Sequence, residues 1–358
     1  MSVQYTEKNG DARKALTERM LQGDMTVSNK EVAAAYEIDP YFDVNDIPLD
    51  SIDPSHPALF QHDTLWDHFA RLRREDPVHY HEESITGPYW SVTKYQDIMY
   101  VDKHHELFSS QQRLGGIALG GIARDDDDDF ALPMFIQEDP PKHDAQRKVV
   151  TPMFVPKQLA ELEPLIRERA SSILDNLPRN EEFNWVNHVS KELTGQMLAT
   201  LFDFPFEDRR KLTRWSDVAT ADEASGIVDS EEQRREELGE CLGYFTELWN
   251  QRVNQPPAGD LVSMLAHGES TKNMGPMEYL GNLILLIVGG NDTTRNSISG
   301  GVRFLNQFPD EYQKLMANPG LIPNMVPEII RFQTPLAYMR RTTTQDVQLG
   351  DKLIPEGD

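Results

Sequence analysis

The stretch whose reading decides the fold is Leu283-Ile284-Leu285-Leu286-Ile287-Val288-Gly289-Gly290-Asn291-Asp292-Thr293-Thr294-Arg295-Asn296-Ser297. Its first six residues are wholly apolar, and the helical spacing around it predicts a helix over 277–306. In the middle stand residues that a core helix avoids. Each interior glycine costs about 1 kcal/mol relative to alanine, and Asn, Asp and Thr add smaller penalties. Two explanations are open. Two separate helices could meet at a Gly-Gly turn. Alternatively, one kinked helix could offer a groove to a ligand, because glycine admits close approach while Asp and Thr take over loosened backbone hydrogen bonds. On the second reading Asp292 and Thr293 stand in an apolar wall as proton donor and hydroxyl relay, since local conflicts of this kind tend to mark functional positions.

Helical periodicity also dominates the rest of the chain. Leu65, Phe69 and Leu72 recur at helical spacing and stop at Asp76-Pro77. Residues 78–81 and 89–92, separated by a turn containing Gly87-Pro88, read as a hairpin. Further helices are predicted over 157–174, 185–201 and 231–253, with no repeat of solenoid length. The expected class is mainly α with a small β portion. Gly115-Gly116 and Gly120-Gly121 bracket Ile117, Ala118 and Leu119, ahead of an acidic run from Asp125 to Asp129. That pattern suits a mobile lid or a solvated surface loop equally. It lacks the spaced ligands and closing Glu of a calcium loop, and no Gly-Lys-Ser/Thr follows the glycines to make a phosphate loop.

The 358 residues are 39% hydrophobic and 26% charged, an ordinary globular balance. A formal net charge of -24 repels phosphate backbones and anionic membranes, which sets aside nucleic-acid and membrane-surface classes. Residues 1–29 are polar and lack a signal-peptide pattern, and the apolar run Leu283 to Val288 is far too short to span a bilayer. With one cysteine, Cys241, no internal disulfide can form, which fits a cytoplasmic protein.

Gly289-Gly290-Asn291-Asp292-Thr293-Thr294 resembles the central-helix signature of the cytochrome P450 family, small-Gly-x-acid-Thr-Thr. Three more segments follow in the family's order. Asp139-Pro140-Pro141-Lys142-His143-Asp144-Ala145-Gln146-Arg147, with Phe154 after it, resembles the helix along the haem edge. Glu328-Ile329-Ile330-Arg331 resembles the Glu-x-x-Arg helix, and Arg341-Thr342-Thr343-Thr344-Gln345-Asp346 resembles the strand whose arginine reaches a haem propionate. Glu-x-x-Arg is weak alone, because Glu207/Arg210, Glu231/Arg234 and Glu232/Arg235 share its spacing and read as exposed ion pairs. The order of all four carries the resemblance, which runs from about Pro57 to the last residue.

The resemblance implies a cytochrome P450 fold, incomplete at the carboxyl end, and haem b as cofactor. His143, Arg147 and Arg341 would face the propionates; the first two lie four apart and share a helix face. Gly289 would lie against the haem, Thr293 would hydrogen-bond bound oxygen, and Asp292 would relay protons from solvent. Glu328 and Arg331 would lock a helix behind the haem, a structural role. Three stretches, 87–93, 201–210 and 285–296, resemble the bacterial terminal alkane and fatty-acid hydroxylase branch. That implies insertion of one oxygen atom into the terminal C–H bond of a medium-length chain. Electrons would come from NADH through a reductase and a ferredoxin. Candidate substrate walls are Leu285, Val288 and Gly289 on the central helix, Leu336 and Ala337 after Pro335, and Ile117 or Leu119 in the glycine loop, with Val288, Gly289 and Leu336 favoured.

One departure matters. The family's ligand loop, Phe-x-x-Gly-x-x-x-Cys-x-Gly, is absent, and Cys241 stands in a helical context that reads as a small buried side chain. The expected organisation is therefore a partly disordered extension over 1–56 and a truncated domain over 57–358, its axial cysteine lying beyond residue 358. Alone, this polypeptide is expected to lack thiolate ligation and activity, and to expose surfaces that a further section would cover. The competing class is a non-catalytic haem- or lipid-binding relative that has lost its ligand loop. The Asp292-Thr293 pair speaks against it, because a carrier has no need to deliver protons. A regulatory helical protein without haem would leave His143, Arg147 and Arg341 unexplained.

Overall fold

A computed structural model describes residues 37–119, 132–221 and 226–358, together with Ala15, Leu16 and Arg19. Gly120, Gly121 and the acidic run from Asp125 to Asp129 lie outside the described residues, as does most of 1–36. The chain is about 62% helical with small sheets, in line with the class expected from periodicity.

The amino-terminal part holds α1 (Pro57–Gln61), α2 (Trp66–Glu75), the strands β1 (Val78–His81) and β2 (Tyr89–Val92), and α3 (Tyr95–Lys103). β1 and β2 form the predicted antiparallel hairpin, with Val78 opposite Val92 and His81 opposite Tyr89. Two further two-stranded ladders tie distant segments. β3 (Phe108–Ser109) pairs with β4 (Thr342–Thr343), and β5 (Val347–Leu349) pairs with β6 (Lys352–Ile354). The expected division at 56/57 does not coincide with a break in packing. Val44, Ile47 and Ile52 already share a core with Leu72 of α2, and Arg71 donates to the carbonyls of Val44 and Ile47.

The helical body comprises α4 (Lys142–Val150), α5 (Pro156–Asp175), α6 (Lys191–Phe202), α7 (Arg209–Thr220), α8 (Glu231–Val253), α9 (Leu261–His267), α10 (Pro276–Gln307), α11 (Pro309–Ala317) and α12 (Ile322–Gln333). Local chemistry sets several starts. The Ser230 side chain accepts from Gln233 N, with Glu231 and Glu232 in the first turn of α8, so cap and dipole agree. Asp260 does the same for α9 through Ser263 N, and Pro276 occupies the first turn of α10, where its missing N–H costs nothing. The stretch predicted as helix over 185–201 divides into one wide π turn, Val186–Ser190, and α6.

The largest core is apolar side chains from α6, α7, α8, α9 and α10, centred on Phe202, Trp215, Phe245, Leu261, Leu283 and Ile287. Phe202, Phe204, Trp215, Tyr244 and Phe245 interlock edge-on and stacked at centroid distances of 4.7 to 6.1 Å. α10 runs through the body and carries the motif of interest in its middle. Among the described residues no helix is long and apolar enough to cross a membrane.

Candidate functional site

α10 is one unbroken helix of 32 residues, so the reading of two helices meeting at Gly289-Gly290 is excluded. Its two central glycines, about 100° apart around the axis, have different surroundings. A Cβ on Gly290 would come within 2.7 Å of a Leu198 methyl, so this glycine lets α10 lie tight on α6. A Cβ on Gly289 would meet nothing within 4 Å. One helical turn on, the Thr293 hydroxyl donates to the Gly289 carbonyl at 2.9 Å. The hydroxyl proton is thereby engaged, and its oxygen lone pairs remain for a ligand on the open side. On the closed side Asn291 is fully buried, its Oδ1 accepting from Thr194 Oγ1 at 3.2 Å.

Asp292 points to neither glycine. Its carboxylate is held by Arg295, one turn along the same helix, and Arg295 Nη1 also donates to Asp217 Oδ1 of α7 at 2.8 Å. Asp217 Oδ2 accepts in turn from Lys191 Nζ at the start of α6, 3.2 Å away. Burial pushes the Asp292 carboxyl above the usual carboxylate range; the Arg295 guanidinium opposes the shift, while the Asp217 charge reinforces it. Asp217, Lys191 and Arg295 were not singled out in the sequence. The Asp292–Arg295 spacing of three was the available signal for one of them. Asp217 sits on a helix that the sequence reading did not claim, although Leu212, Trp215 and Val218 recur every third residue there.

The three cations expected at one carboxylated edge are placed as follows. Arg147 is exposed on α4, and its guanidinium has no hydrogen bond or ion pair among the described residues. His143 Nδ1 is 2.8 Å from Asp144 Oδ1, and its ring lies 6.3 Å from that of Phe135. Arg341 is engaged elsewhere: it donates to Asp102 of α3 at 3.0 Å and to the Arg340 carbonyl at 2.8 Å. No hydrogen bond or ion pair joins it to His143 or Arg147 among the described residues. Its neighbour Arg340 was overlooked. Its guanidinium donates to the Leu114 carbonyl at 3.1 Å and to Thr342 Oγ1, and lies where a Cβ on Gly115 would be. The Arg340 N–H donates to the Ile117 carbonyl at 2.8 Å, fastening the segment after Gly115-Gly116 to the residues just before β4.

The segment leading into α4 is anchored on α10. Asn282 Oδ1 accepts from Phe135 N at 2.9 Å, and Gly281 lets the Pro133 carbonyl pass where a side chain would stand. Gln146 Nε2 donates to Glu278 at 2.8 Å, so α4 is fixed to the start of α10. Glu328 and Arg331 of α12 form a double hydrogen bond at 2.7 Å and stay exposed. Leu285 and Val288 are half-buried against the main core, whereas Leu336 is 57% exposed. Two cavities, of about 320 and 430 Å³, lie away from all of these residues.

The donor set fits the distal face and the acidic edge of a haem. It offers an open glycine-and-hydroxyl face on α10 and an arginine on α4 that is unpaired among the described residues. It does not fit the proximal ligand, because Cys241 is wholly buried in α8, where burial drives its thiol far above the ordinary range.

No family model matches the chain. Linalool 8-monooxygenase of Pseudomonas putida is 33% identical over 312 residues, which are 86% of this chain and 76% of that protein. A methyl-branched lipid omega-hydroxylase of Mycobacterium tuberculosis is 30% identical over 306 residues, 81% of this chain and 69% of that one. Among solved structures, cytochrome P450-153 from Novosphingobium aromaticivorans superposes with a TM-score of 0.78 at 44% identity. That match covers 86% of this chain and 76% of the other.

Proposed function

Since this chain belongs to the cytochrome P450 family, we propose that its site serves a monooxygenase placing one oxygen atom on the terminal carbon of a medium-length alkane or fatty acid. The observation that carries this reading is the division of α10: Gly290 and Asn291 packed on α6, Gly289 and the Thr293 oxygen facing open space. The likeness to a methyl-branched lipid omega-hydroxylase supports the terminal position.

Haem, when bound through a thiolate, supplies the redox chemistry that activates dioxygen. The chain's own residues do the rest. Gly289 keeps the face clear, and Thr293 offers a hydrogen-bond acceptor there. Asp292, half-desolvated and held by Arg295, carries protons inward from the α7 side. Arg147 and His143 on α4 would meet the carboxylates at the haem edge, with Arg341 joining them once released from Asp102. Leu285, Val288 and Leu336 supply apolar wall. Glu328 and Arg331, paired along α12, would brace that helix behind the haem. Electrons would arrive from NADH through a reductase and a ferredoxin. Cys241 takes no part.

The test uses haem-loaded enzyme in a form that also carries the family's cysteine loop, its reduced carbon-monoxide difference spectrum showing thiolate ligation, supplied with reduced ferredoxin and a series of alkanes and fatty acids. Primary alcohols from medium-length chains are expected by mass spectrometry. Products hydroxylated only at internal carbons would refute the terminal assignment.

A further inference from the structure

The larger cavity, of about 430 Å³, lies against the amino-terminal hairpin, away from α10. His79 and Tyr80, neighbours on β1, both line it. Successive side chains of a strand point to opposite faces, so the cavity runs along the edge of β1 that is not paired with β2. Across the gap stand Asp50 and Ser51, in the 3-10 turn Leu49–Ser51, and Lys352 of β6. Asp76 pairs with Lys352 Nζ at 3.1 Å and accepts from His79 Nδ1 at 2.8 Å, so its charge is matched. Asp50, Glu82 and Glu83 differ. All three are exposed on the cavity wall, and none has an ion pair or side-chain hydrogen bond among the described residues.

Two further features narrow the occupant. His79 is 3% exposed, and its Nε2 is buried without a partner. Asp76 can only accept, so the ring proton sits on Nδ1 and Nε2 is an acceptor lacking a donor. Tyr80 and Trp90, opposite one another in the hairpin, set their rings 5.0 Å apart on the cavity wall. No cation lies over either ring among the described residues. Nor, among those residues, do three His, Cys, Asp or Glu side chains converge as a metal ion would need. The negative charge is spread along the cavity instead of focused on one point.

We propose that this cavity binds a linear aliphatic polyamine, its ammonium groups taken by Asp50, Glu82 and Glu83 and its chain lying on Tyr80 and Trp90. Spaced carboxylates favour a ligand with spaced positive charges over a single ion. Ammonium N–H groups supply the donor that Nε2 lacks, and the aromatic faces attract the same charge. The volume is within the range of small-molecule sites. A net charge of -24 adds attraction at longer range. Because the cavity wall joins the hairpin to β6, the bound ligand ties the amino-terminal part to the last strand.

Spermidine is the probe, titrated by calorimetry into the 358-residue chain at about 0.15 M salt, where exposed charges are screened beyond about 8 Å. One saturable site per chain is expected, with a change in tryptophan fluorescence that Trp90→Phe abolishes. Glu82→Gln with Glu83→Gln should weaken binding by about tenfold or more, as loss of hydrogen bonds to charged groups does. Glu161→Gln with Glu168→Gln, the same change of charge at exposed sites on α5, should leave affinity unchanged. Both pairs are exposed, so folding is not at stake. Equal weakening by the two pairs would mean an adventitious counterion only and would overturn the proposal. So would the absence of a saturable heat, a fluorescence change that survives Trp90→Phe, or displacement of spermidine by equimolar magnesium. The titration needs neither haem nor α10, so its failure and that of the monooxygenase reading are distinguishable.

Discussion

Thr293 commits its hydroxyl proton to the Gly289 carbonyl, so it acts through its oxygen. In haem-loaded enzyme, Thr293→Ala is expected to cut product formed per electron by roughly 100-fold, the lower end of what a positioned proton-transfer group contributes. Hydrogen peroxide should rise in proportion, and Thr293→Ser should keep most of the coupling; unchanged coupling in the alanine variant would remove Thr293 from the relay. A second residue governs stability. His81 is buried, its Nδ1 facing the Ile52 carbonyl and its Nε2 facing Ser91 Oγ, each at 2.7 Å, while its ring stacks on Tyr89. One donor and one acceptor satisfy the neutral imidazole. Burial lowers its pKa to about 4. Above the unfolded value of about 6.5 both states are neutral and His81 contributes no pH dependence. As pH falls from there to about 4 the unfolded chain takes up a proton that the folded chain refuses, so stability drops by about 3 kcal/mol. Unfolding free energies from urea titration of the chain and of His81→Gln should diverge by that amount across this window; parallel curves would contradict it.

At the scale of elements, the central helix is held by glycines that do unlike jobs. Gly290→Ala places a methyl against Leu198 and is expected to cost about 1–3 kcal/mol. Gly289→Ala should be neutral or gain up to about 1 kcal/mol from helix propensity. Thermal unfolding of the two variants checks the contrast, and equal loss in both would undo it. The sequence made α5, α8, the hairpin and α10 legible because each has a strong period and clear ends. It did not claim α7, whose Arg, Lys and Asp residues interrupt a short apolar row, and so it could not place Asp217. Sequence spacing pairs residues along one helix, as with Asp292 and Arg295. It cannot pair side chains across helices, which is why Lys191 and the engagement of Arg341 by Asp102 went unread.

For the whole molecule, a charge of -24 is set against a row of exposed apolar side chains on α12 and just after it: Ile322, Val326, Ile330, Phe332 and Leu336. Mutual repulsion reaches about 30 Å in dilute salt and about 3 Å at 1 M. The chain is therefore expected to sediment as a single species in dilute buffer and to self-associate as salt is raised. Val326→Gln with Ile330→Gln should abolish most of that association; an unaltered sedimentation profile would mean that another surface drives it.

The ladder between β3 and β4, and the Arg340 bond to Leu114 across 226 residues of sequence, bear on how the molecule assembles. Closing so long a loop is entropically expensive, so these pairings can form only after the helical body has condensed. They should be the last structure acquired during refolding and the first lost on partial opening. Amides at Thr342 and Thr343 should then exchange with deuterium well before those of Leu283 or Phe245. A protease given brief access should cut between residues 334 and 341 while the helical core stays whole.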